Sequence, residues 1–480
     1  MKVYLLLIGL VTAQLCLAVP PQIRVATYNA SLNRPTNGQL ASDLAVTTNA
    51  QAKKVAEILQ RVRPDIVLIN EFDYDAQGLS RERFHANYLA VSQNGQVPLN
   101  FPYRYSPPSN TGITSGYDLD NAGGYVTTPG ADPYGNDCFG FGWFPGQYGF
   151  VVYSRFPIRT SEIRSFQLFL WKDMPGAAFP DISGTPAPAD FYSTAEKAVL
   201  RLSSKNHCDI PIEIVPGQLL HLLASHPTPP SFDGSEDRNG RRNHDEIRLW
   251  GDYVQNASYL YDDSGARGGL AANQRFVVLA DLNADPLDGD SYLGAINQLL
   301  QHPLINAGVV PSSAGGTEAA RLQGGKNLTQ LGDPAADTAD FGDGGSNPGN
   351  LRVDHVLPSR SGLSPISGGV FWPIPSDPTS ALIGISDHRL VYLDLTLTPI
   401  ISEAVRRLTV TREQGNVVLA WQAQPGVTYN VQTSMDLFGW ADAPQIGVTI
   451  NPTTQSARAI DSAPGGAAKY YRLVTALEGT

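Results

Sequence analysis

One apolar stretch of this chain leads directly into polar residues that could do chemistry. Phe276–Ala280 is a run of five apolar residues, two of them β-branched, and Asp281 and Asn283 follow it. Such a run predicts a buried strand with these two side chains at its carboxyl end. Residues two apart on extended backbone face the same side of a sheet, so the pair would offer a carboxylate and an amide to one ligand. For this pair alone, an Asx turn that ends the strand is the simpler explanation.

The same arrangement occurs three more times along the chain. In each case a polar residue stands at the end of a predicted strand. The predicted strands and their polar neighbours are 23–28 with Asn29, 64–70 with Glu71, and 390–395 with Asp387 and His388. Polar residues at four separate strand ends indicate a site assembled on the edge of a sheet.

This series of residues resembles the endonuclease/exonuclease/phosphatase family of metal-dependent phosphoesterases. The matches occur in the family's order between about 21 and 397, and they are Thr27-Tyr28-Asn29, Glu71, Gly146–Pro157, His226, Asp281 with Asn283, Asp354, and Ser386-Asp387-His388. Each motif is short, and the ordered series makes the resemblance specific. Two positions depart from the family: Ala280 replaces the usual Gly, and Pro227 separates His226 from Thr228.

The resemblance implies a fold and a metal site. Members of the family have a four-layer α/β/β/α sandwich with helices outside two stacked sheets. By position, Asn29, Glu71 and Asp387 would hold a divalent cation. We expect Mg²⁺, with Mn²⁺ or Ca²⁺ as alternatives, because the ligands are oxygens and neither a thiolate nor a histidine cluster accompanies them.

The resemblance also implies a catalytic role for each remaining residue. Asp281 would align or deprotonate the attacking water, and Asn283 would donate to a phosphoryl oxygen. His388, oriented by Asp354, would stabilise the charge that develops, and His226 would act as a donor or acid opposite it. This chemistry needs no covalent intermediate.

Three arginines gather in a segment of an otherwise acidic chain. Arg238, Arg241 and Arg242 precede a predicted helix at 245–254. Guanidinium groups suit phosphate oxygens, so the three could hold the substrate phosphate. A solvated loop ahead of the helix is an equally good explanation, and the sequence leaves both open.

Charge and composition bear on the substrate. The chain of 480 residues has a formal net charge of -11, and 16% of its residues are charged. This balance disfavours tight, non-specific nucleic-acid binding. Two long insertions, 74–145 and 312–350, are rich in loop-forming residues and would wall the catalytic face. We therefore predict hydrolysis of small or medium phosphate mono- or diesters, with an extracellular nuclease and a binding protein with an inactive core as alternatives.

The amino terminus has the form of a secretory signal. The apolar run after Met1-Lys2 is too short for a spanning helix, and it is followed by Ala18, a small residue that suits cleavage. We expect a secreted or periplasmic protein. The mature chain would then hold Cys138 and Cys208, either bridged in an oxidising compartment or as two buried thiols.

The rest of the chain predicts two units. Residues 49–62 space apolar residues as one helical face, with Asn49 as the N-cap. Residues 21–397 would form the phosphoesterase domain. Short alternating strands at 407–411, 417–422, 428–433 and 470–475 predict a small all-β sandwich over 403–480, which resembles the fibronectin-type-III-like modules of secreted bacterial proteins.

Overall fold

The computed structural model describes residues 22–186, 189–398, 409–423, 427–435, 441–451, 453–454, 456–463 and 469–477. The predicted signal at 1–18 and the predicted turns at 424–426 and 464–466 lie outside these ranges. The strands are β1 Gln22–Leu32, β2 Ile66–Phe72, β3 Tyr103–Tyr105, β4 Phe150–Ser154, β5 Arg164–Ser165, β6 His207–Val215, β7 Gln218–Ser225, β8 Phe276–Asp281, β9 Ala339–Asp340, β10 Asn350–Leu351, β11 Asp354–Pro358, β12 Leu363–Val370, β13 Val391–Leu397, β14 Thr409–Glu413, β15 Asn416–Gln422, β16 Val427–Ser434, β17 Ala441–Asp442, β18 Val448–Ile450, β19 Ser456–Asp461 and β20 Tyr470–Leu477.

The α-helices are α1 Gln39–Asp43, α2 Ala50–Val62, α3 Leu79–Phe84, α4 Asp132–Asn136, α5 Thr194–Val199, α6 Arg238–Val254, α7 Asn297–Leu300 and α8 Ala314–Gln323. A π-helical turn at His85–Leu89 and several short 3-10 turns connect them. Within the described residues, none of the helices combines the length and the apolarity that crossing a bilayer requires.

Two mixed sheets carry the predicted site. The first has the order β12-β13-β1-β2-β4-β3, and the second has the order β11-β8-β7-β6-β5. β1 runs parallel to β2, and β7 runs parallel to β8. β11 is antiparallel to β8, and this register places Asp354 opposite Asp281. Parallel strands end at the same edge of a sheet, so Asn29 and Glu71, within the last residues of β1 and β2, lie at one edge, and His226 and Asp281, at the ends of β7 and β8, lie at one edge of the second sheet.

Alternating side chains along these strands enter different hydrophobic clusters. Val25 of β1 shares one cluster with Leu222 and Leu279 of the second sheet. The next residue of β1, Ala26, belongs to a second cluster together with the apolar face of α2. A third cluster combines Ala280 with the buried residues of α6. This period of two follows from the strand pleat, and the observed mixed α/β architecture agrees with the predicted fold class.

The helix predicted at 49–62 is confirmed as α2. Asn49 is its N-cap, and its side-chain oxygen accepts a hydrogen bond from the backbone N–H of Ala52 at 3.0 Å. This bond satisfies one of the amide groups that a helix leaves free at its start. The basic residue Arg63 follows the helix in a left-handed conformation with φ of 57°.

The helix predicted at 245–254 begins seven residues earlier than expected, so that boundary was wrong. α6 starts at Arg238, and the three arginines lie in its first turns rather than in a loop. Asp245 is buried inside the helix and accepts hydrogen bonds from the indole N–H of Trp171 at 2.6 Å and the backbone of Ala178 at 2.7 Å. These tertiary contacts stabilise the helix despite the polar character of its first turns.

The insertion at 312–350 also contains more regular structure than the sequence indicated. α8 lies within it, and Ser313 caps this helix by accepting from the backbone of Gly316 at 3.0 Å. The glycines of the first turn obscured the helical pattern.

Cys138 and Cys208 are both buried and free, so the alternative of a disulfide between them was wrong.

The described part of the C-terminal region is all β, as predicted. Its strands form one sheet in the order β14-β15-β19-β18 and another in the order β17-β16-β20. Leu419, Trp421, Tyr429 and Ala459 belong to one hydrophobic cluster of this region. The predicted strand at 407–411 lies partly outside the described residues, and its described part belongs to β14.

Candidate active site

The carboxylate of Asp281 is the meeting point of the predicted catalytic residues. Its Oδ2 accepts a hydrogen bond from the amide of Asn29 at 3.0 Å. The Nε2 atoms of His226 and His388 lie 3.3 Å and 3.6 Å from the same oxygen. All four side chains are buried. Asn29 and Asp281 are 252 residues apart in the sequence, so the fold brings distant side chains to this one oxygen atom.

His388 is held between two carboxylates. Its Nδ1 lies 2.8 Å from Oδ2 of Asp354, and that oxygen also accepts from the hydroxyl of Thr338 at 2.8 Å. Burial lowers the pKa of His388, but the charges of Asp354 and Asp281 outweigh burial and raise this pKa above its ordinary value. The pair therefore favours an imidazolium fixed in one orientation.

His226 has the opposite electrostatic setting. Burial lowers its pKa, and the nearby ammonium of Lys205 lowers it further, against the raising effect of Asp281. Its Nδ1 is buried and has no hydrogen-bond partner among the described residues. The lowered pKa favours a neutral imidazole, which can donate or accept a hydrogen bond at Nε2, the nitrogen that faces Asp281, without carrying a permanent charge.

Asn283 is placed by a turn, which corrects the expectation of extended backbone. The strand ends at Asp281, and Asn283 adopts a left-handed conformation with φ of 51°. Its backbone N–H donates to Oδ1 of Asp281 at 2.9 Å, which is the Asx turn that the sequence allowed. The side-chain amide donates to the carbonyl of Pro227 at 3.1 Å, so Asn283 lies beside the His226 loop.

The predicted metal ligands differ in burial and in their contacts. Asn29 donates its amide to Asp281, and its side-chain oxygen accepts from the backbone of Ser31 at 3.2 Å. Glu71 is half-buried and accepts from the amide of Asn33 at 2.7 Å. Asp387 is exposed and immediately precedes His388. These three side chains offer oxygen atoms, a donor set that suits a hard divalent cation.

A second group of side chains has the spacing of a metal site. Donor atoms of Asp281, Asp354 and His388 all lie within 4.8 Å of one another. Both ring nitrogens of His388 already face the two carboxylates, so mutual hydrogen bonding and charge pairing account for this spacing. The three residues therefore remain the predicted catalytic group.

Strained backbone marks the same edge of the sheets. Ser31, Glu71, Tyr148 and Asn283 are not glycines, yet their φ angles are 49°, 55°, 58° and 51°. All four lie at the polar ends of β1, β2, β4 and β8. Left-handed backbone at a non-glycine residue costs free energy, and it is retained where the surrounding structure determines it.

Several residues that support the site were missed from the sequence. Asn70, fully buried at the end of β2, accepts from the backbone of Asp281 at 3.2 Å and donates to the carbonyl of Ser225 at 3.0 Å. It therefore ties β2 to both β7 and β8. Its signal was a polar residue inside an apolar run, immediately before Glu71. Thr338 and Phe341, whose ring centroid lies 5.4 Å from that of His388, had no signal of this kind.

The three arginines are occupied by other contacts. Arg242 is half-buried, and it donates to the carbonyl of Leu202 at 2.9 Å. Arg241 lies over the ring of Tyr292 at 4.6 Å, and Arg238 forms an ion pair with a glutamate two residues earlier. Within the described residues, their hydrogen bonds do not reach Asp281 or the two histidines.

The sequence model of the Endonuclease/Exonuclease/phosphatase family matches residues 26–388. This match covers more than half of the chain, and so the protein belongs to that family. Members of the family are typically metal-dependent hydrolases that act on phosphoesters. None of the curated proteins compared matches this chain.

Solved structures of the same family are similar to this chain at low identity. One from Beutenbergia cavernae, an endonuclease/exonuclease/phosphatase, is 14% identical with a TM-score of 0.44, covering 94% of this chain and 100% of that one. Another from Bacteroides vulgatus is 14% identical with a TM-score of 0.37, covering 79% and 100%. A truncated TDP2 from Caenorhabditis elegans is 12% identical with a TM-score of 0.37, covering 78% and 98%.

Proposed function

We propose that this protein is an exported, divalent-metal-dependent hydrolase of small or medium phosphate mono- or diesters. One observation carries the proposal: Asn29, His226 and His388 converge on a single oxygen of Asp281, at 3.0, 3.3 and 3.6 Å. A carboxylate between imidazoles can orient a water molecule and take its proton. A buried site of this kind also strengthens each electrostatic interaction with an anionic substrate.

In the proposed reaction, Asp281 aligns the attacking water and accepts its proton. His388, kept charged by Asp354, donates to a phosphoryl oxygen as negative charge builds on it. His226 faces the same centre through Nε2, and as a neutral imidazole it serves there as a hydrogen-bond donor. The hydrogen bond from the Asn283 amide to the carbonyl of Pro227 keeps Asn283 beside His226. When substrate binds, the amide leaves this carbonyl and donates to the phosphoryl group instead.

Asn29, Glu71 and Asp387 would hold the cation. Their oxygen atoms fit Mg²⁺ first, and also Mn²⁺ or Ca²⁺, since soft ligands are absent from this set. The amide nitrogen of Asn29 donates to Asp281, so the side-chain oxygen, which also accepts from the backbone N–H of Ser31, is the atom that would bind the cation. A bound cation would neutralise phosphoryl oxygens and so lower the barrier to attack.

We also infer the finer architecture. The cluster shared by the two sheets, with α2 and α6 packed against their other faces, supports a four-layer α/β/β/α sandwich. The two C-terminal sheets support a fibronectin-type-III-like module over 403–480, following the catalytic domain of 21–397.

Residues 1–18 would be the export signal, and amino-terminal sequencing of the exported protein should then begin at Val19. A retained Met1 would contradict this.

The activity is tested with a chromogenic phosphomonoester, its diester analogue, plasmid DNA and sphingomyelin, each with Mg²⁺, Mn²⁺, Ca²⁺ or a chelator. We expect metal-dependent turnover of a small ester.

Asp281→Ala, Glu71→Ala and His388→Ala should each lower the rate by about 10² or more. Glu318→Ala, which removes a surface ion pair of α8, is the matched control and should keep full activity.

Two results would overturn the proposal. Near-wild-type turnover by any one of the three variants, measured on folded protein, would contradict the site assignment. Absence of hydrolysis with every substrate and metal would favour a binding protein with an inactive core.

A further inference from the structure

Lys205 is a buried lysine that the predicted mechanism does not use. It lies just before β6, and its Nζ donates to the carbonyl of Pro227 at a long 3.3 Å. Only 7% of the residue is exposed. Among the described residues, it forms no ion pair within 4.0 Å. A buried ammonium with one weak hydrogen bond is an unusual feature of a folded protein.

Fold stability does not explain this charge. An unpaired charge in the interior destabilises the folded state, and an apolar residue of the same size would be more stable there. The carboxylates of Glu246, Asp281 and Glu71 interact with Lys205 electrostatically, Glu246 most strongly, but within the described residues none of them forms an ion pair with it. The carboxylate of Glu246 already accepts from the backbones of Ser204 at 2.6 Å and Thr228 at 2.7 Å. The lysine therefore has donor capacity that the fold does not use.

The position of Lys205 connects it to the candidate active site. The carbonyl of Pro227 accepts both the Lys205 ammonium at 3.3 Å and the Asn283 amide at 3.1 Å. Pro227 directly follows His226 in the chain. The exposure of Lys205, 7%, is no smaller than the 1% of Asp281 and the 4% of His388. A substrate atom that reaches those residues is therefore not kept from Lys205 by burial alone.

We propose that Lys205 binds a phosphoryl oxygen of the substrate, next to Asn283. This proposal rests on the proposed phosphoester hydrolysis and assigns the cationic role to Lys205 instead of the three arginines of α6. An ammonium in a buried setting interacts strongly with an anionic oxygen, which offsets the desolvation that both groups undergo. The substrate thus supplies the partner that the folded protein lacks.

The test compares Lys205→Met with Lys172→Met, an exposed lysine as the matched control. Titration calorimetry with inorganic phosphate and Mg²⁺ measures binding, and a small diester measures turnover. For Lys205→Met we expect phosphate Kd to rise at least tenfold and kcat/KM to fall by about 10². Lys205→Arg should retain most of the phosphate affinity. An unchanged Kd in folded Lys205→Met would overturn the proposal.

A second measurement uses the wild-type protein and does not depend on the folding of the variant. The side-chain ammonium signals of a ¹⁵N-lysine-labelled sample are followed by NMR during titration with inorganic phosphate. We expect the Lys205 signal to shift with saturation while that of Lys172 stays in place, and equal behaviour of the two would overturn the proposal. Phosphate binding at Lys205 without hydrolysis would reject only the proposed function, whereas hydrolysis without a Lys205 shift would reject only this inference.

Discussion

At the scale of single residues, opposite electrostatic settings distinguish the two histidines around Asp281. His388 has two carboxylate neighbours, which raise its pKa, whereas burial and Lys205 lower the pKa of His226. One imidazole can therefore remain charged while the other remains neutral at the same pH. Two groups in one site whose pKa values differ in this way can take different roles in proton transfer.

Glu71 gives a prediction at this scale because its side chain and its backbone have different requirements. Its φ of 55° is easily adopted by glycine and strained for alanine. Both Glu71→Gly and Glu71→Ala remove the carboxylate and its bond to Asn33. We expect both to lose about 10² or more in kcat, with the glycine variant more stable by about 1 kcal/mol.

Urea denaturation of the two Glu71 variants measures this difference directly. Each variant serves as the control for the other, because they differ by a single methyl group. An alanine variant as stable as the glycine variant would show that the backbone at this position is not strained.

At the scale of elements, the insertion at 312–350 contributes to the site rather than only surrounding it. Thr338 holds Asp354, and the backbone of Asp340 donates to the carbonyl of Asp387 at 2.8 Å. Phe341 packs edge-on against His388. A substitution in this insertion should therefore affect the orientation of Asp354 and His388 without altering either residue.

Asp337, next to Thr338, predicts a pH dependence of stability. Burial, together with the charges of Asp285, Asp288 and Asp333, raises the pKa of Asp337 to about 8. The folded state therefore binds a proton that the unfolded chain releases near pH ~3.9. Its stabilising contribution is complete below that pH and is lost as pH rises toward about 8, by up to ~1.4 kcal/mol per pH unit.

The variant Asp337→Asn should remove this slope. We expect the free energy of unfolding of the wild type, relative to the variant, to decrease between pH 4 and 8 and to level off above. Asp132→Asn, which alters an exposed carboxylate, should keep the wild-type profile. Parallel profiles of wild type and Asp337→Asn would contradict the raised pKa.

At the scale of the whole molecule, all candidate site residues precede the C-terminal strands. The last of them, His388, is followed by β13, which ends at Leu397. A chain ending at Pro399 should therefore keep its kcat/KM within about twofold of the full-length value. A soluble, folded fragment without activity would show that the C-terminal region completes the site.

Net charge sets a further prediction for the whole molecule. With a formal net charge of -11, the protein has little long-range attraction for a polyanion. Hydrolysis of a small ester should change little between roughly 50 and 200 mM NaCl, because only one phosphate is neutralised. A nuclease that neutralises six to ten phosphates would lose about 10³ to 10⁵ in affinity over the same range.

Parallel assays on plasmid DNA and a small ester across this salt range distinguish the two. Efficient plasmid degradation with the steep dependence, combined with negligible turnover of small esters, would make the extracellular nuclease the correct alternative.

Local patterns in the sequence determined the strands, the cap of α2 and the identity of most candidate residues. Apolar runs that end in Asn29, Glu71 and Asp281 are readable because strand periodicity and turn chemistry act over a few residues. The order of the motifs was sufficient to indicate the family that the residue match at 26–388 shows.

Only the tertiary structure decided which of these residues meet. The Asn29 amide and Asp281 are 252 residues apart, and their contact depends on the packing of two sheets. The same holds for the start of α6, which buried partners of Asp245 stabilise, and for the contacts that occupy the arginines. It also holds for Lys205, because an unpaired buried charge is defined by what surrounds it. Burial and long-range contact have no local signal in the chain, and they set both the proton affinities and the charge of this site.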